Sequence, residues 1–405
     1  MHHPLLPTLL LAAAPLAATA QDCTTGRYHT PGLFPVAPVI GAVPFGSNTA
    51  VAGGEQTLYL DVYQPAGDTL TDRPVMVVAF GGSFVGGTRQ QVASICQAFA
   101  AMGYVAVAPD YRVGLFWPTE TTTTLAVMRG AHDMKACVRF LRKSVAEDGN
   151  PYGIDPERII IGGVSAGAIS AIHATYLDQE SEGPASVAAI VAQQGGVEGT
   201  SGSPGYSSKP LACYSFSGAI GDTLWIETDD VPLASIHETG DGVVPYYTEE
   251  VSVVGIATGL VASGSHDIHV RCDHIGLDNC FKSYNTSGHT DYLQNDGTNA
   301  IGFVAQYAAR LVCGMDFGCE ELATSIAMAP PTAPGLHPNP ATDRVRLDMP
   351  AAGVVELYDM NGRRALQEHV AAGDQWIGLH GMTPGVYLLR VDGAPAGRLV
   401  VMRAE

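Results

Sequence analysis

The stretch Gly163-Val164-Ser165-Ala166-Gly167 constrains this chain more than any other, because it lies between a strand-like run, Arg158 to Gly162, and a helix-like run opening at Ala168. So tight a turn forces its central residue into a strained backbone, and glycines two positions to either side let strand and helix approach closely. The serine hydroxyl then points outward at a helix N-terminus, where backbone N–H groups bind developing negative charge. A Gly-rich turn alone carries no chemistry, so the surrounding chain decides.

From Leu58 to about Cys313, strand-like and helix-like runs alternate. This predicts an α/β domain with a mostly parallel sheet and helices on both faces. Residues 57–63 alternate as an antiparallel opening strand, and 75–80 read as a buried one. A helix is expected over 91–102, a strand over 104–108 and a long helix around 126–145. Later strands are expected at 211–216, 233–237 and 280–284, with a closing helix over about 298–312. Two stretches lack periodicity and are expected at the rim or lid of a site, 113–124 with Phe116 and Trp117, and the Gly- and Ser-rich 195–208.

At 405 residues one catalytic domain plus an accessory module is expected. The apolar run Leu5 to Ala17, followed by Ala18-Thr19-Ala20, has the small-x-small pattern of an export leader, although His2 and His3 stand where lysine or arginine is usual. No later segment reads as a transmembrane helix. Composition shifts at Ala327 to Pro340, and residues 336–405 read as short strands with turn dipeptides Asn361-Gly362 and Asp392-Gly393, a small antiparallel sandwich without clustered catalytic side chains. The expected division is a leader at 1–20, an α/β unit at 21–323, a Pro-rich linker at 324–335 and an all-β unit at 336–405.

Eight cysteines in an exported chain point to disulfides, and no C-x-x-C pair or Cys/His cluster has zinc spacing. Cys272 with Cys280, and Cys313 with Cys319, are the candidates near in sequence; Cys23, Cys96, Cys137 and Cys213 either pair or stay buried as small apolar residues. A net charge of -19 argues against nucleic acid or an anionic membrane as partner.

A serine nucleophile needs a base to take its proton and a carboxylate to hold that base in the right tautomer. The turn Glu238-Thr239-Gly240-Asp241 follows the strand ending at His237, and Asp241 is the candidate acid, with Glu238 as competitor right at the strand end. The loop Asn285 to Tyr292 follows the last strand, and His289 is the candidate base. His266, His269 and His274 fall on a helix beginning near Ser265, where solvent-facing or packing roles are expected, and His173 on the helix after Ser165, where packing is expected. Gly81-Gly82-Ser83-Phe84 follows a strand and is able to converge N–H groups on a carbonyl oxygen, with Ala166 supplying another donor. Gly82, Ser83 and Ala166 are therefore the candidate oxyanion donors, and Phe116, Trp117 and Trp225 the candidate pocket aromatics.

These residues together resemble the α/β-hydrolase superfamily, specifically carboxylesterases of the hormone-sensitive-lipase and carboxylesterase type. The resemblance spans roughly Arg27 to Cys313. It rests on Leu60-Asp-Val-Tyr63, Phe80-Gly-Gly-Ser-Phe84, Asp110-Tyr-Arg112, Asp133-Met-Lys-Ala-Cys-Val-Arg139, the Ser165 turn, the Asp241 turn and Gly288-His289. It implies the chain order serine, acid, histidine and no metal or organic cofactor. It also puts Cys96 and Cys137 on opposite faces of the sheet, hence unpaired with each other. Family members usually have histidine where this chain has Phe80, a departure that bears on the polar anchoring of the oxyanion loop.

Residues 337–340, 355–362 and 384–391 resemble a type IX secretion C-terminal sorting domain, which implies export through that machinery and a secreted or outer-surface location by way of the periplasm. The expectation is a secreted serine carboxylesterase acting on an ester substrate. The alternatives are a serine peptidase of the same fold and a catalytically inactive surface-binding homologue.

Overall fold

The computed structural model describes residues 23–183, 185, 187–315, 317–319, 341–349, 351–359, 363–391 and 394–403. The expected leader, the linker and the dipeptides Asn361-Gly362 and Asp392-Gly393 lie outside these. The chain divides into two compact units, Met1–Ala323 and Thr324–Glu405.

The first unit runs β1 (Ile40–Thr49), β2 (Glu55–Tyr63), β3 (Arg73–Ala79), α1 (Ala93–Ala101), β4 (Val105–Pro109), α2 (Glu120–Glu147), β5 (Ile154–Val164), α3 (Ala166–Tyr176) and α4 (Ala188–Gln193). It continues with β6 (Ala212–Phe216), β7 (Ala219–Ile220), β8 (Leu233–Glu238), β9 (Thr248–Val253), β10 (Ile256–Gly264), α5 (Ser265–Ile275), β11 (Asn279–Tyr284), α6 (Tyr292–Asn295) and α7 (Gly297–Cys313). Eight strands form one sheet in the order β1-β2-β4-β3-β5-β6-β8-β11. The pairs β1/β2 and β2/β4 are antiparallel, and every other pair is parallel. This is the α/β-hydrolase fold.

The central strands are near-continuous apolar runs because both of their faces are covered. Val75 to Ala79, Val105 to Ala108 and Ala212 to Phe216 are all buried. Helix α2 packs on α3, and α1 on α7. The switch from strand to helix at β5/α3 is set by two glycines. A Cβ on Gly163 would lie 2.6 Å from Ala79 O, and one on Gly167 2.3 Å from the same atom. Neither position accepts a side chain without moving β3.

Several elements depart from the sequence expectation. Strand β1 was not anticipated, since Pro44 and two glycines interrupt its pattern; it is an edge strand, where proline is tolerated. Helix α2 begins at Glu120 because Thr119 Oγ1 accepts from the Thr122 N–H at 3.2 Å, so half of the supposed 113–124 loop is helical. The hairpin β9/β10 was missed because Gly259 and a register irregularity break its alternation. The stretch 195–208 is no rim. Ser201 Oγ donates to Asp133 at 2.6 Å, Glu198 pairs with Lys135 and Arg139, and His132 Nε2 donates to Gly196 O at 2.8 Å, which together seat the loop on α2.

The charged motifs are scaffolding. Arg112 grips the fully buried Asp133 through Nε and Nη2, each at 2.9 Å, and its own N–H donates to the same carboxylate at 2.8 Å. This fixes the segment after β4 to α2. Arg89 likewise joins Asp61 to Asp110.

The cysteine pairing is also corrected. The bonds are Cys23–Cys313 and Cys280–Cys319, not Cys272–Cys280 and Cys313–Cys319. Spacing misled because Cys272 is buried within α5, whereas Cys313 ends α7, within reach of the N-terminal Cys23, and Cys319 comes back to β11. Cys96, Cys137, Cys213 and Cys272 are free and buried, with burial pushing each thiol well up.

In the second unit β12 (Arg344–Met349) pairs antiparallel with β15 (Gly373–Gly378). The strands β13 (Gly353–Tyr358), β14 (Arg364–Val370), β16 (Gly385–Val391) and β17 (Ala394–Val401) form a sheet in the order β14-β13-β16-β17. Val345, Leu347 and Ile377 from the first sheet share a core with Val355, Leu357 and Leu399 from the second, which makes a small sandwich.

Candidate active site

Ser165 occupies the β5/α3 junction with φ 56° and ψ -121°, a left-handed conformation that costs a non-glycine residue roughly 1–3 kcal/mol. The cost is offset by the Ser165 N–H donating to Phe216 O at 2.8 Å and by the glycines either side. The side chain is left at the C-terminal edge of the sheet, where open parallel sheets gather ligands.

Three side chains from distant loops meet there. Ser165 Oγ lies 2.8 Å from His289 Nε2, and His289 Nδ1 lies 2.7 Å from Asp241 Oδ2. A carboxylate only accepts, so Nδ1 carries the proton and Nε2 presents its lone pair to the serine hydroxyl. Asp241 is both turn-former and acceptor. Its Oδ1 takes the N–H groups of Val243 at 2.8 Å and Val244 at 3.1 Å, while Oδ2 faces the imidazole. Burial alone would raise this carboxyl; hydrogen bonds from His237 and His289 and the Val243 N–H outweigh it and hold it well below the ordinary carboxylate range.

Two neighbours escaped the sequence reading as site residues. His237, fully buried at the end of β8, places Nε2 3.2 Å from Asp241 Oδ2 and Nδ1 2.8 Å from Ser265 Oγ. Glu238, considered only as a rival acid, faces the other way: it accepts from Thr286 Oγ1 at 2.8 Å and from the Asp291 N–H at 3.2 Å, clasping both flanks of His289. Gly288 makes that clasp possible, since a Cβ there would lie 2.7 Å from Glu238 Oε1. The signal was the placement of His237 and Glu238 at the end of a strand feeding a functional turn.

The loop after β3 lies against the serine, a Cβ on Gly81 standing 3.2 Å from Ser165 Cβ. Ser83 (φ 53°) and Phe84 (φ 60°) are both left-handed. Gly82 O receives the N–H groups of Val85 and Gly86, and Gly114 and Leu115 donate to Phe84 O. Among the described residues the N–H groups of Gly82, Ser83 and Ala166 meet no acceptor, the condition a pre-organised anion site requires. Phe80, in place of histidine, stacks on Tyr111 with centroids 4.3 Å apart, and the Tyr111 hydroxyl donates to Phe80 O at 2.8 Å. Polar anchoring of the loop therefore comes from a tyrosine on the next strand's exit.

Ser165 opens on an apolar recess walled by Val127, Ile169, Val244, Val251 and Leu260. The β9/β10 hairpin supplies much of this wall. The expected aromatics do not. Phe116 and Trp117 are exposed and line a separate depression with Val51 and Arg129, and Trp225 sits behind the recess against His173, which does line it. His173 is tied down, Nδ1 donating to Ile169 O at 2.8 Å and Nε2 accepting from the Gly221 N–H at 3.2 Å.

Residues 23–198 match the model of the carboxylesterase family. The matched segment is less than half of the chain. It contains the loop after β3 and Ser165, while Asp241 and His289 lie beyond the matched stretch. Residues 335–398 match the secretion system C-terminal sorting domain. The chain is similar to Lipase 2 of Geotrichum candidum, 33% identical over 131 residues, 30% of this chain and 23% of that one. It is also similar to the fumonisin B1 esterase of Sphingopyxis macrogoltabida, 29% identical over 126 residues, 29% of this chain and 23% of that one. The chain spans only about a quarter of the length of these relatives. Among solved structures, Thermogutta terrifontis esterase 2 aligns with a TM-score of 0.47 at 21% identity, over 66% of this chain and 95% of that one.

Proposed function

We propose that the chain is a secreted serine carboxylesterase. Ser165 attacks the carbonyl carbon of an ester, His289 Nε2 takes its proton and later delivers it to the leaving alcohol, and Asp241 keeps the proton on Nδ1 and stabilises the imidazolium. The N–H groups of Gly82, Ser83 and Ala166 receive the oxyanion. Water then hydrolyses the acyl-serine by the same route in reverse. The observation that carries this reading is the unbroken line Ser165 Oγ, His289, Asp241, at 2.8 and 2.7 Å, beside three unpartnered backbone donors.

A fluorophosphonate probe tests it, because only an activated serine is phosphonylated. Labelling is expected at Ser165, visible as a single modified peptide, and lost in Ser165→Ala. An intact, folded wild type that takes up no label would leave a surface-binding hydrolase homologue as the better account.

Delivery is assigned to the C-terminal unit, whose sorting-domain match supports export to the cell surface or medium. A chain ending near Ala333 is expected to hydrolyse esters in vitro at the rate of the full mature chain, and to stay cell-associated in a host with the type IX machinery. A truncated chain that folds but loses most of its turnover would show that the sandwich takes part in substrate binding.

A further inference from the structure

Ser165 lines one recess, and its neighbour Val164, with Thr290 next to His289, lines a second of opposite character. The apolar one has already been described. The second begins at Gly81 and Gly82, passes Thr290 beside His289, and widens into a groove between α1 and the N-terminal end of α7. Its polar lining is Gln91, Ser94, Thr290, Gln294 and Thr298, interleaved with Val92, Ile95, Leu293 and Ile301. No Asp, Glu, Lys, Arg or His lines it. In a chain with a net charge of -19 that is informative, because the groove offers hydrogen bonds and aliphatic contact without a counter-charge.

The oxyanion donors straddle the boundary. Ser83 and Ala166 line the apolar recess, and Gly82 lines the polar groove. A carbonyl oxygen held by all three sends its two substituents into different recesses. The leaving oxygen must come within reach of His289 Nε2 to be protonated, and Thr290, the next residue, lines the groove. The alcohol half therefore occupies the groove, and the acyl half fills the apolar recess.

Resting on the esterase reading above, we infer that the natural substrate is an aliphatic acyl ester of a neutral alcohol bearing several hydroxyl groups, such as a partly acylated sugar. Amide and hydroxyl side chains match such hydroxyls, and the aliphatic residues between them match the C–H faces of a ring. A site built to hydrogen-bond a substrate hydroxyl discriminates strongly against the analogue lacking it.

The test compares kcat/KM of the full mature chain on methyl 6-O-butyryl-glucoside and on ethyl butyrate, which share an acyl group. Wild type is expected to favour the sugar ester by on the order of 10-fold or more. In the combined variant Ser94→Ala, Gln294→Leu, Thr298→Val that ratio is expected to fall at least 10-fold; Ile301→Trp, which blocks the groove by bulk, lowers it as well. A wild-type ratio near one, or a ratio unmoved by both variants, overturns the assignment while Ser165-dependent cleavage of ethyl butyrate leaves the esterase reading standing. Absence of any Ser165-dependent ester cleavage overturns both.

Discussion

Ser165→Ala and His289→Ala are each expected to lower kcat on a simple ester by on the order of 10⁴-fold or more, with urea midpoints close to wild type. The loss is this large because the two groups act as a unit. Without the serine no acyl-enzyme forms, and without the imidazole the hydroxyl keeps its proton at the moment of attack. Stability is spared because Ser165 Oγ bonds to His289, and Asp241 keeps its His237, Val243 and Val244 partners when the imidazole is removed. Their double substitution should cost little more than either alone. Asp241→Asn differs. That carboxylate accepts from His289, His237, Val243 and Val244, so activity and the unfolding midpoint should both fall. Retained turnover in Ser165→Ala, measured against a mock purification, would end the serine mechanism.

Acid is expected to destabilise the protein between about pH 6.5 and 4, above the ordinary carboxylate range. His132, His173 and His269 are pushed from 6.5 down to about 4, chiefly by burial. Geometry says the same. His132 Nδ1 and His269 Nε2 are buried with no partner, and His173 Nε2 already accepts from the Gly221 N–H. A proton at any of these nitrogens finds no acceptor.

The unfolded chain takes up these protons from about pH 6.5 downward and the folded chain does not, so stability is fully present above 6.5 and drains away as pH falls toward 4. At about 1.4 kcal/mol for each unit, every ring contributes on the order of 3 kcal/mol over that window. Asp230, raised to about 6 chiefly by burial, opposes the trend with one group, and Asp241, held low, adds a further loss below 3.8. Urea titrations at pH 7.5 and 5 check this. An unchanged midpoint would mean the three rings are solvated.

What the sequence conveyed was the part of the fold in which local pattern and tertiary role coincide. The buried parallel strands are continuous apolar runs, and the serine turn carries glycines that a close strand and helix demand. Asp241 and His289 follow strand ends, where a parallel sheet must place its chemistry. Legibility failed where burial is one-sided or partners are remote. Strand β1 sits at an edge and tolerates Pro44, so its alternation is blurred. The hairpin β9/β10 faces the recess with Val251 and Leu260 yet leaves Val254, Ile256 and Val261 exposed, and Gly259 disrupts its period. Trp117 was singled out for its size, and size says nothing about direction: it lies largely in solvent. Cysteine partners 290 residues apart leave no trace in spacing.

The Cys23–Cys313 bond makes the α/β unit topologically a ring. The two ends of the α/β unit are clipped together, and the residues of the sandwich follow the closed stretch in sequence. Proteolysis between the units, or of the residues before Cys23, therefore leaves the sheet's covalent circuit intact. Closing a loop of that size removes roughly 6 kcal/mol of disorder from the unfolded chain in the chain-entropy account. Closure also has an order. Cys313 lies at the end of α7, so the ring is sealed only once nearly all of the α/β unit has reached an oxidising compartment.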